Sequence, residues 1–183
     1  MNLVISLTEG MSDRGHSAEA VLKDTGIQVS DFLQIEQRVT YRQRIQQINN
    51  VLSLVNKPSF WLEAEIVATI SDYGLLGYAM VSSETLGRAI QIAVKYHKTA
   101  GAMFDLEFFE EGRDAVLRLE HFLVGGPVGE YMAEEIFLGI GPLIELLLGQ
   151  EFKPTHVSFN YNSKTPITTY QKAFKCEVNL GEK

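Results

Sequence analysis

Cysteine, tryptophan and long apolar runs are scarce in the 183-residue chain, which has one cysteine and one tryptophan. The single Cys176 excludes an internal disulfide and agrees with a reducing compartment. The most apolar segment, 136–148, has well under the roughly 20 residues of a membrane-spanning helix and contains Glu145. The first ten residues lack the basic region of a signal peptide. We therefore expect a soluble, cytoplasmic protein without a membrane partner.

Positive charge is also scarce, since 16 Lys and Arg residues stand against 23 Asp and Glu residues and give a net charge of -7. Binding to a phosphate backbone needs clustered positive charge. Segment 18–37 nevertheless resembles a helix-turn-helix with Gly26 at its turn. Residues 27–37 contain no Lys or Arg, whereas Asp31 and Glu36 are acidic. Helical packing is therefore favoured over DNA binding for this segment.

Motifs for catalysis and for metal binding are absent from the sequence. It contains no GxSxG, P-loop or HExxH pattern. The four histidines are far apart in sequence and have no metal-ligand spacing. We therefore predict no enzymatic activity, no metal site and no cofactor.

Two further features have a functional and a structural interpretation. The glycines of 125–129 could cradle a phosphate before a helix, but no Lys, Ser or Thr follows them, which favours a flexible connection. Cys176 shares strand phase with Val178, which favours an inert core cysteine over a nucleophile.

Helical periodicity extends from the N-terminus to Gly101. The third predicted helix, which begins at Thr40, has an apolar stripe that could pair with a partner helix, although such a stripe more often packs inside its own domain. We expect a helix over 3–14 with Leu3, Leu7 and Met11 on one face, followed by a short helix capped by Ser17. The third helix should begin with a Thr40–Gln43 capping box and carry the stripe Ile45, Ile48, Leu52 and Val55. A further helix should be capped by Ser59 and carry Trp61, Leu62 and Ile66.

A pair of apolar helices is predicted over 71–98. The first should be capped by Ser71 and Asp72, and its Gly74 and Gly77 should allow another backbone to approach. A polar break over 82–85 separates it from the second helix. That helix has an amphipathic stripe formed by Leu86, Ala89, Ile90, Ala93 and His97. Both helices are apolar enough to be buried.

Strand periodicity begins at Phe104. A hairpin with its turn at 111–114 should place Phe108 opposite Leu117 and Phe104 opposite His121 on one inward face. A helix over 130–148 follows, with Glu134 on its polar stripe and a kink at Pro142, and then a strand, a helix and a last strand.

The predicted fold class is therefore α+β. It has an N-terminal helical bundle over 1–57, and a helical pair with a mostly antiparallel sheet over 58–183. The sheet-bearing part has the order hairpin, helix, strand, helix, strand, with helices packed on the sheet.

Aromatic and polar-tipped residues at apolar positions form the candidate ligand site, because a ligand pocket is mostly apolar with a few polar groups. His97 and His121 share a phase with core residues, so each is either a hydrogen-bonded core histidine or a ligand contact. The pocket is expected between the helical pair and the hairpin. The candidates are Trp61, Tyr73, Tyr78, Tyr96, His97, Phe104, His121 and Tyr131.

The segment 71–98 resembles the hallmark of N-terminal effector domains in one branch of the bacterial AraC/XylS-type transcription regulators. That branch has Leu-Gly-Tyr-Ala, then Ser-x-x-Thr-Leu-Gly-x-Ala, then a helix that carries a tyrosine. The corresponding residues here are 76–79, 82–89 and Tyr96.

The resemblance extends over nearly the whole chain. It includes the opening helices around 15–26, the hairpin at 104–119 and the closing segment 170–178. The chain departs from the family at Lys175, Glu177 and Leu180, where the family usually has Gly, Pro and Phe.

The resemblance implies a ligand-sensing and dimerisation domain, similar to regulators of ornithine and related amino-acid use and often labelled arabinose-binding. It implies a homodimer and a small-molecule effector, for which an amino-acid-like metabolite is one candidate. Such regulators continue into a C-terminal domain with two helix-turn-helix units. The chain stops at Lys183, where that domain would begin, so DNA contact is expected only through the absent domain. The alternative is a ligand-free interaction or dimerisation module.

Overall fold

The computed structural model describes residues 2–34, 38–55, 60–63 and 70–182, without the side chains of residues 2, 71 and 72. The predicted caps at Ser59 and at Ser71 with Asp72 lie outside this description, as do Glu36 and the predicted core residue Ile66. The chain divides into two units, Met1–Pro58 and Ser59–Lys183.

The first unit is helical, as predicted. It contains α1 (Asn2–Ser12), α2 (Ala18–Leu22), a 3-10 helix (Val29–Leu33) and α3 (Tyr41–Leu54). The hydroxyl of Ser17 accepts a hydrogen bond from the Ala20 amide at 3.2 Å. Thr40 and Gln43 form the predicted capping box, in which the Gln43 side chain accepts from the Thr40 amide at 2.9 Å. Side-chain capping therefore starts both α2 and α3 where the sequence indicated.

The buried faces of α1 and α3 differ from the predicted stripes. Leu3 is 61% exposed, whereas Met11 is buried as predicted, and α1 buries Val4 and Thr8 beside it. α3 buries two polar residues, Arg44 and Gln47, together with Ile48 and Val51, rather than Leu52 and Val55.

A hydrogen-bond network explains this shift. The Gln47 amide nitrogen donates to the Val4 carbonyl and the Thr8 hydroxyl, each at 2.9 Å, and the Arg44 guanidinium donates to the Gln47 side chain at 2.6 Å. Polar groups with partners can be buried, so apolar periodicity identified Met11 and Ile48 but missed the polar part of each buried face.

The region that resembled a helix-turn-helix lacks a recognition helix within its described residues. Its second element, Val29–Leu33, is a five-residue 3-10 helix. Asp31 is used locally, because its carboxylate accepts a hydrogen bond from the Gln28 amide at 2.9 Å. An element this short does not present a face along the major groove.

The second unit confirms the α+β class. Its elements in chain order are 3-10 helices at Phe60–Glu63 and Ile70–Tyr73, α4 (Gly74–Val81), α5 (Leu86–Tyr96), a 3-10 helix at His97–Ala100, β1 (Asp105–Glu111), β2 (Asp114–Glu120), α6 (Gly126–Leu148), β3 (His156–Phe159), α7 (Ile167–Phe174) and β4 (Glu177–Leu180).

The described strands form two separate pairs. β1 and β2 are antiparallel, and Phe108 lies opposite Leu117 as predicted. β3 and β4 are parallel, with α7 as the connection between them. Parallel neighbours need such a crossover, whereas the two-residue turn of the hairpin allows only antiparallel pairing.

The predicted helical pair is present, and its polar break ends at Thr85, whose hydroxyl caps α5 by accepting from the Arg88 amide at 3.2 Å. A Cβ added to Gly77 would lie 2.2 Å from the Ile70 carbonyl oxygen, which confirms the predicted close approach there, whereas nothing lies within 4 Å of a Cβ at Gly74. The prediction that α4 is buried was wrong, because Leu75 is 88% exposed. α4 is apolar on every side, and a helix of eight residues has only one face against its neighbours.

Residues 126–129 are the first turn of α6 rather than a flexible connection. Pro127 lies in that first turn, where its missing N–H is not needed. A Cβ at Gly129 would lie 2.5 Å from the Val124 carbonyl oxygen, so close packing explains this glycine. Pro142 lies inside α6, and the predicted kink there stays a prediction.

Candidate functional site

The core beneath the parallel strand pair contains an ionisable side chain. This core is formed by Leu62 of the Phe60–Glu63 turn, Ala133 of α6, Phe159, and residues of α7 and β4. Glu134, beside Ala133, is 2% exposed. Its assignment to a polar outer stripe was wrong, because three aromatic donors allow its carboxylate to face inward.

Three neutral donors hold the Glu134 carboxylate. The Trp61 indole Nε1–H donates to Oε2 at 2.5 Å. The hydroxyls of Tyr170 and Tyr161 donate to Oε1 at 2.5 Å and 2.8 Å. Among the described residues, no Lys or Arg forms an ion pair with Glu134. We call these four residues the Glu134 cluster.

Burial raises the pKa of Glu134 above its ordinary value of 4.5, and the nearby carboxylate of Glu130 adds to the rise. The hydrogen bonds from Tyr170, Tyr161 and Trp61 act in the opposite direction because they favour the charged form. Burial, followed by the charge of Glu134, raises the pKa of Tyr161 well above its usual range. Tyr161 therefore stays protonated and remains a donor.

Aromatic rings and further carboxylates surround the Glu134 cluster. The Tyr131 ring packs edge-on against Trp61, with the ring centroids 4.6 Å apart, and its hydroxyl donates to the Glu135 carboxylate at 2.8 Å. α6 carries four glutamates and no Lys or Arg in its 23 residues. The environment of the cluster is therefore aromatic, and the carboxylate whose charge acts on Glu134 is that of Glu130.

His97 and Phe104 form a second group of predicted site residues. Their rings stack with centroids 5.8 Å apart. The ring nitrogens of His97 lie 2.7 Å from the Val94 carbonyl oxygen and 3.1 Å from the Phe104 carbonyl oxygen. These contacts join the end of α5 to the start of the hairpin, which supports the structural interpretation of His97.

His121 does not face inward, contrary to the prediction. Its side chain is 74% exposed and its Nδ1 lies 3.1 Å from the Asp105 carboxylate. Strand pairing ends at Glu120, and His121 has a φ of +48°, so the chain turns away before a further inward pair can form. The hydrogen bond from Lys98 is the main reason why the pKa of Asp105 is lowered, and His121 contributes to it.

The remaining predicted site residues lie elsewhere in the second unit. Tyr73 is half-buried against Met80, Ala89 and Leu143. Tyr78 and Tyr96 are 59% and 43% exposed. An open pocket of about 470 Å³ lies at the α4–α5 break and is lined by residues including Ser82, Thr85 and Arg88.

The structure therefore brings Trp61 and Tyr131 together, and separately His97 and Phe104. Sequence reasoning missed Glu134, Tyr161 and Tyr170. A usable signal was present, because Tyr161 and Tyr170 occupy core phases and a buried tyrosine hydroxyl needs a partner. An acceptor on the neighbouring long helix could have been sought on that ground.

Three other findings concern predictions made from the sequence. Burial raises the pKa of the Cys176 thiol, and Glu177 adds to the effect, which agrees with an inert cysteine. In the described parts of the chain, no three His, Cys, Asp or Glu side chains come together as metal ligands. No helix described here has the length and apolarity to span a bilayer.

Comparison with known proteins gives the family. Residues 15–183 match the model of the arabinose-binding domain of AraC transcription regulators, an N-terminal domain. The chain is also similar to the ornithine utilization regulator of Pseudomonas aeruginosa, with 29% identity over 122 residues. That alignment covers 67% of this chain and 36% of the relative, so the chain matches little more than a third of the relative's length. The chain belongs to the family of N-terminal arabinose-binding domains of AraC transcription regulators.

Proposed function

We propose that this domain senses a small-molecule effector and thereby controls DNA binding by a C-terminal helix-turn-helix domain in the cytoplasm. The family match over residues 15–183 carries the proposal. The similarity to a transcription regulator supports a regulatory rather than an enzymatic role. Because that relative is an ornithine utilization regulator, amino-acid-like metabolites are the first effectors to test.

Effector binding acts in this proposal by shifting a population. An effector that binds one arrangement of two domains more tightly than another favours that arrangement, and it can shift the equilibrium only by its difference in affinity. A homodimer would couple that shift to two DNA-binding domains.

The eight residues predicted from the sequence remain the proposed ligand contacts. Trp61 and Tyr131 have priority among them, because Trp61 donates to the buried Glu134 and the Tyr131 ring packs against Trp61. His97 and His121 have lower priority, because the first contacts backbone carbonyls and the second is exposed beside Asp105.

The test is a calorimetric and thermal-shift screen of the 183-residue chain against amino acids, polyamines and pentoses. A metabolite that binds should then change the affinity of the complete regulator for its operator. The proposal is wrong if no metabolite in the panel binds and none alters operator binding.

A second candidate function is a ligand-free dimerisation module. The exposed apolar side chains of α4 favour it, with Leu75, Tyr78 and Val81 at 88%, 59% and 49% exposure along a three-residue spacing. Sedimentation should then show a dimer that the substitution Leu75→Glu dissociates, whereas Glu111→Lys at the hairpin turn does not. A chain that stays monomeric at high concentration excludes this function.

A further inference from the structure

The Glu134 cluster contains a buried carboxyl group whose donors are all neutral. Trp61, Tyr161 and Tyr170 supply hydrogen bonds but no positive charge. Burying a carboxylate without a cation is unfavourable, because neutral donors replace hydration only in part. A cationic partner would compensate the charge, and among the described residues the chain supplies none.

The carboxylate also has unused acceptor capacity. A carboxylate has about four acceptor positions, and three hydrogen bonds are formed here. Oε1 accepts two of them, whereas Oε2 accepts only the bond from Trp61 among the described donors. Trp61 is half-buried, as is Tyr161, so the cluster is not sealed from the surface on the Oε2 side. An incoming ammonium group could use the free position of Oε2 or replace the indole N–H there, and a charged donor forms the stronger hydrogen bond.

The surroundings of Oε2 favour a cation over an anion or a neutral group. The half-buried Trp61 ring offers an aromatic surface of the kind on which ammonium groups bind by cation–π interaction, and the buried Tyr131 ring packs against it. Glu130 adds negative charge one turn before Glu134 on the same helix. An effector carboxylate or phosphate would be repelled from this position, and a hydroxyl would not compensate the charge.

We infer that the Glu134 cluster is the subsite that receives the terminal ammonium group of the effector, the one that L-norvaline lacks. This inference rests on the proposed effector-sensing function and specifies its ligand as a cationic amine. Tyr161 and Tyr170 hold the carboxylate in place, Glu134 supplies the counter-charge, and Trp61 reports occupancy because it is the single tryptophan of the chain.

The experiment uses matched probes that differ by one amino group. L-Ornithine and putrescine carry a terminal ammonium, L-norvaline is ornithine without its side-chain amine, and L-arabinose is a neutral polyol. Titration into the 183-residue chain is followed by calorimetry and by Trp61 fluorescence. We expect ornithine or putrescine to bind with a change in emission, and norvaline and arabinose to bind at least about tenfold more weakly, since an ionic hydrogen bond is lost.

Variants locate the binding. Glu134→Gln should weaken amine binding at least about tenfold, because the charge is lost. Glu145→Gln, on the same helix, should bind like the unmodified chain, since its carbonyl oxygen can still accept from the Phe152 amide. Should Glu134→Gln fail to fold, Glu134→Asp keeps the charge but withdraws the carboxylate and should also bind more weakly.

The outcomes separate this inference from the proposed function. Amine binding that Glu134→Gln leaves unchanged, or that leaves Trp61 emission unchanged in the unmodified chain, overturns the subsite but leaves effector sensing intact. Binding of arabinose or norvaline without binding of ornithine or putrescine has the same meaning. Failure of every probe overturns the amine subsite, and failure of the wider metabolite screen is needed to overturn effector sensing.

Discussion

Replacing Tyr170 by phenylalanine removes one donor from the Glu134 cluster and should destabilise the second unit in a pH-dependent way. Tyr170 is fully buried, and its hydroxyl lies 2.5 Å from Oε1 of Glu134. A hydrogen bond to a charged group contributes about 1.5–3 kcal/mol and one to a neutral group about 1 kcal/mol. We therefore expect Tyr170→Phe to cost about 2 kcal/mol when Glu134 is ionised and about 1 kcal/mol when it is protonated.

The sign of the pH dependence follows from the raised pKa of Glu134. The unfolded chain loses this proton near the ordinary value of 4.5, whereas the folded chain retains it to higher pH. The associated stability is present below 4.5 and is lost as the pH rises through the folded pKa. The bond from Tyr170 lowers that pKa, so Tyr170→Phe raises it further and extends the loss to higher pH. The difference between variant and unmodified chain should therefore grow from pH 4.5 to pH 8.

Urea unfolding followed by Trp61 fluorescence measures this effect. The single tryptophan lies in the second unit and so reports on that unit. A loss of about 2 kcal/mol lowers the midpoint by about 1 M urea when the slope is about 2 kcal/mol per M. Tyr78→Phe, at a tyrosine that is 59% exposed, is the matched control and should change stability by less than about 0.5 kcal/mol at every pH. An equal cost of Tyr170→Phe at both ends of the pH range would refute the reasoning.

Three further substitutions test local features of the fold. Gly77→Ala should destabilise the chain by more than about 2 kcal/mol in urea unfolding, because its Cβ would meet the Ile70 carbonyl. The control Gly87→Ala, with open space around it, should be neutral or stabilising by about 0.5 kcal/mol. Equal effects of the two substitutions would contradict the packing. Lys175→Gly should stabilise by about 0.5–1 kcal/mol, since Lys175 has a φ of +56° at the end of α7, and a lower thermal midpoint would oppose this. Thr40→Ala should cost about 1 kcal/mol by removing the cap of α3, and circular dichroism during urea unfolding should show that loss, whereas Thr40→Ser should be close to neutral.

Local signals predicted much of the fold. The capping box at Thr40, the cap at Ser17 and the hairpin register that pairs Phe108 with Leu117 depend on neighbouring residues or on a short turn, and all three were confirmed. At Lys175 the backbone geometry explains a residue preference of the family. The family usually has glycine there, and the left-handed backbone supplies the physical reason.

Long-range partners were not predictable in the same way. Gln47 is buried because Val4 and Thr8 accept its hydrogen bonds from about forty residues away. A prediction from apolar periodicity places such a residue on the exposed face, because the pattern contains no information about a distant partner. The same reason applies to the end of the hairpin, where His121 turns towards Asp105 instead of continuing the ladder.

The sequence by itself determined the α+β class, the sites of most helix starts, the hairpin and the family resemblance, because each depends on local periodicity, on capping residues or on short sequence motifs. Tertiary structure alone decided that Glu134 is buried. Its donors come from positions 61, 161 and 170, which are distant in the chain and meet only when α6, α7 and the segment after β3 pack together. A carboxylate is hydrated on an isolated helix and becomes a core residue when folding brings donors to both of its oxygens.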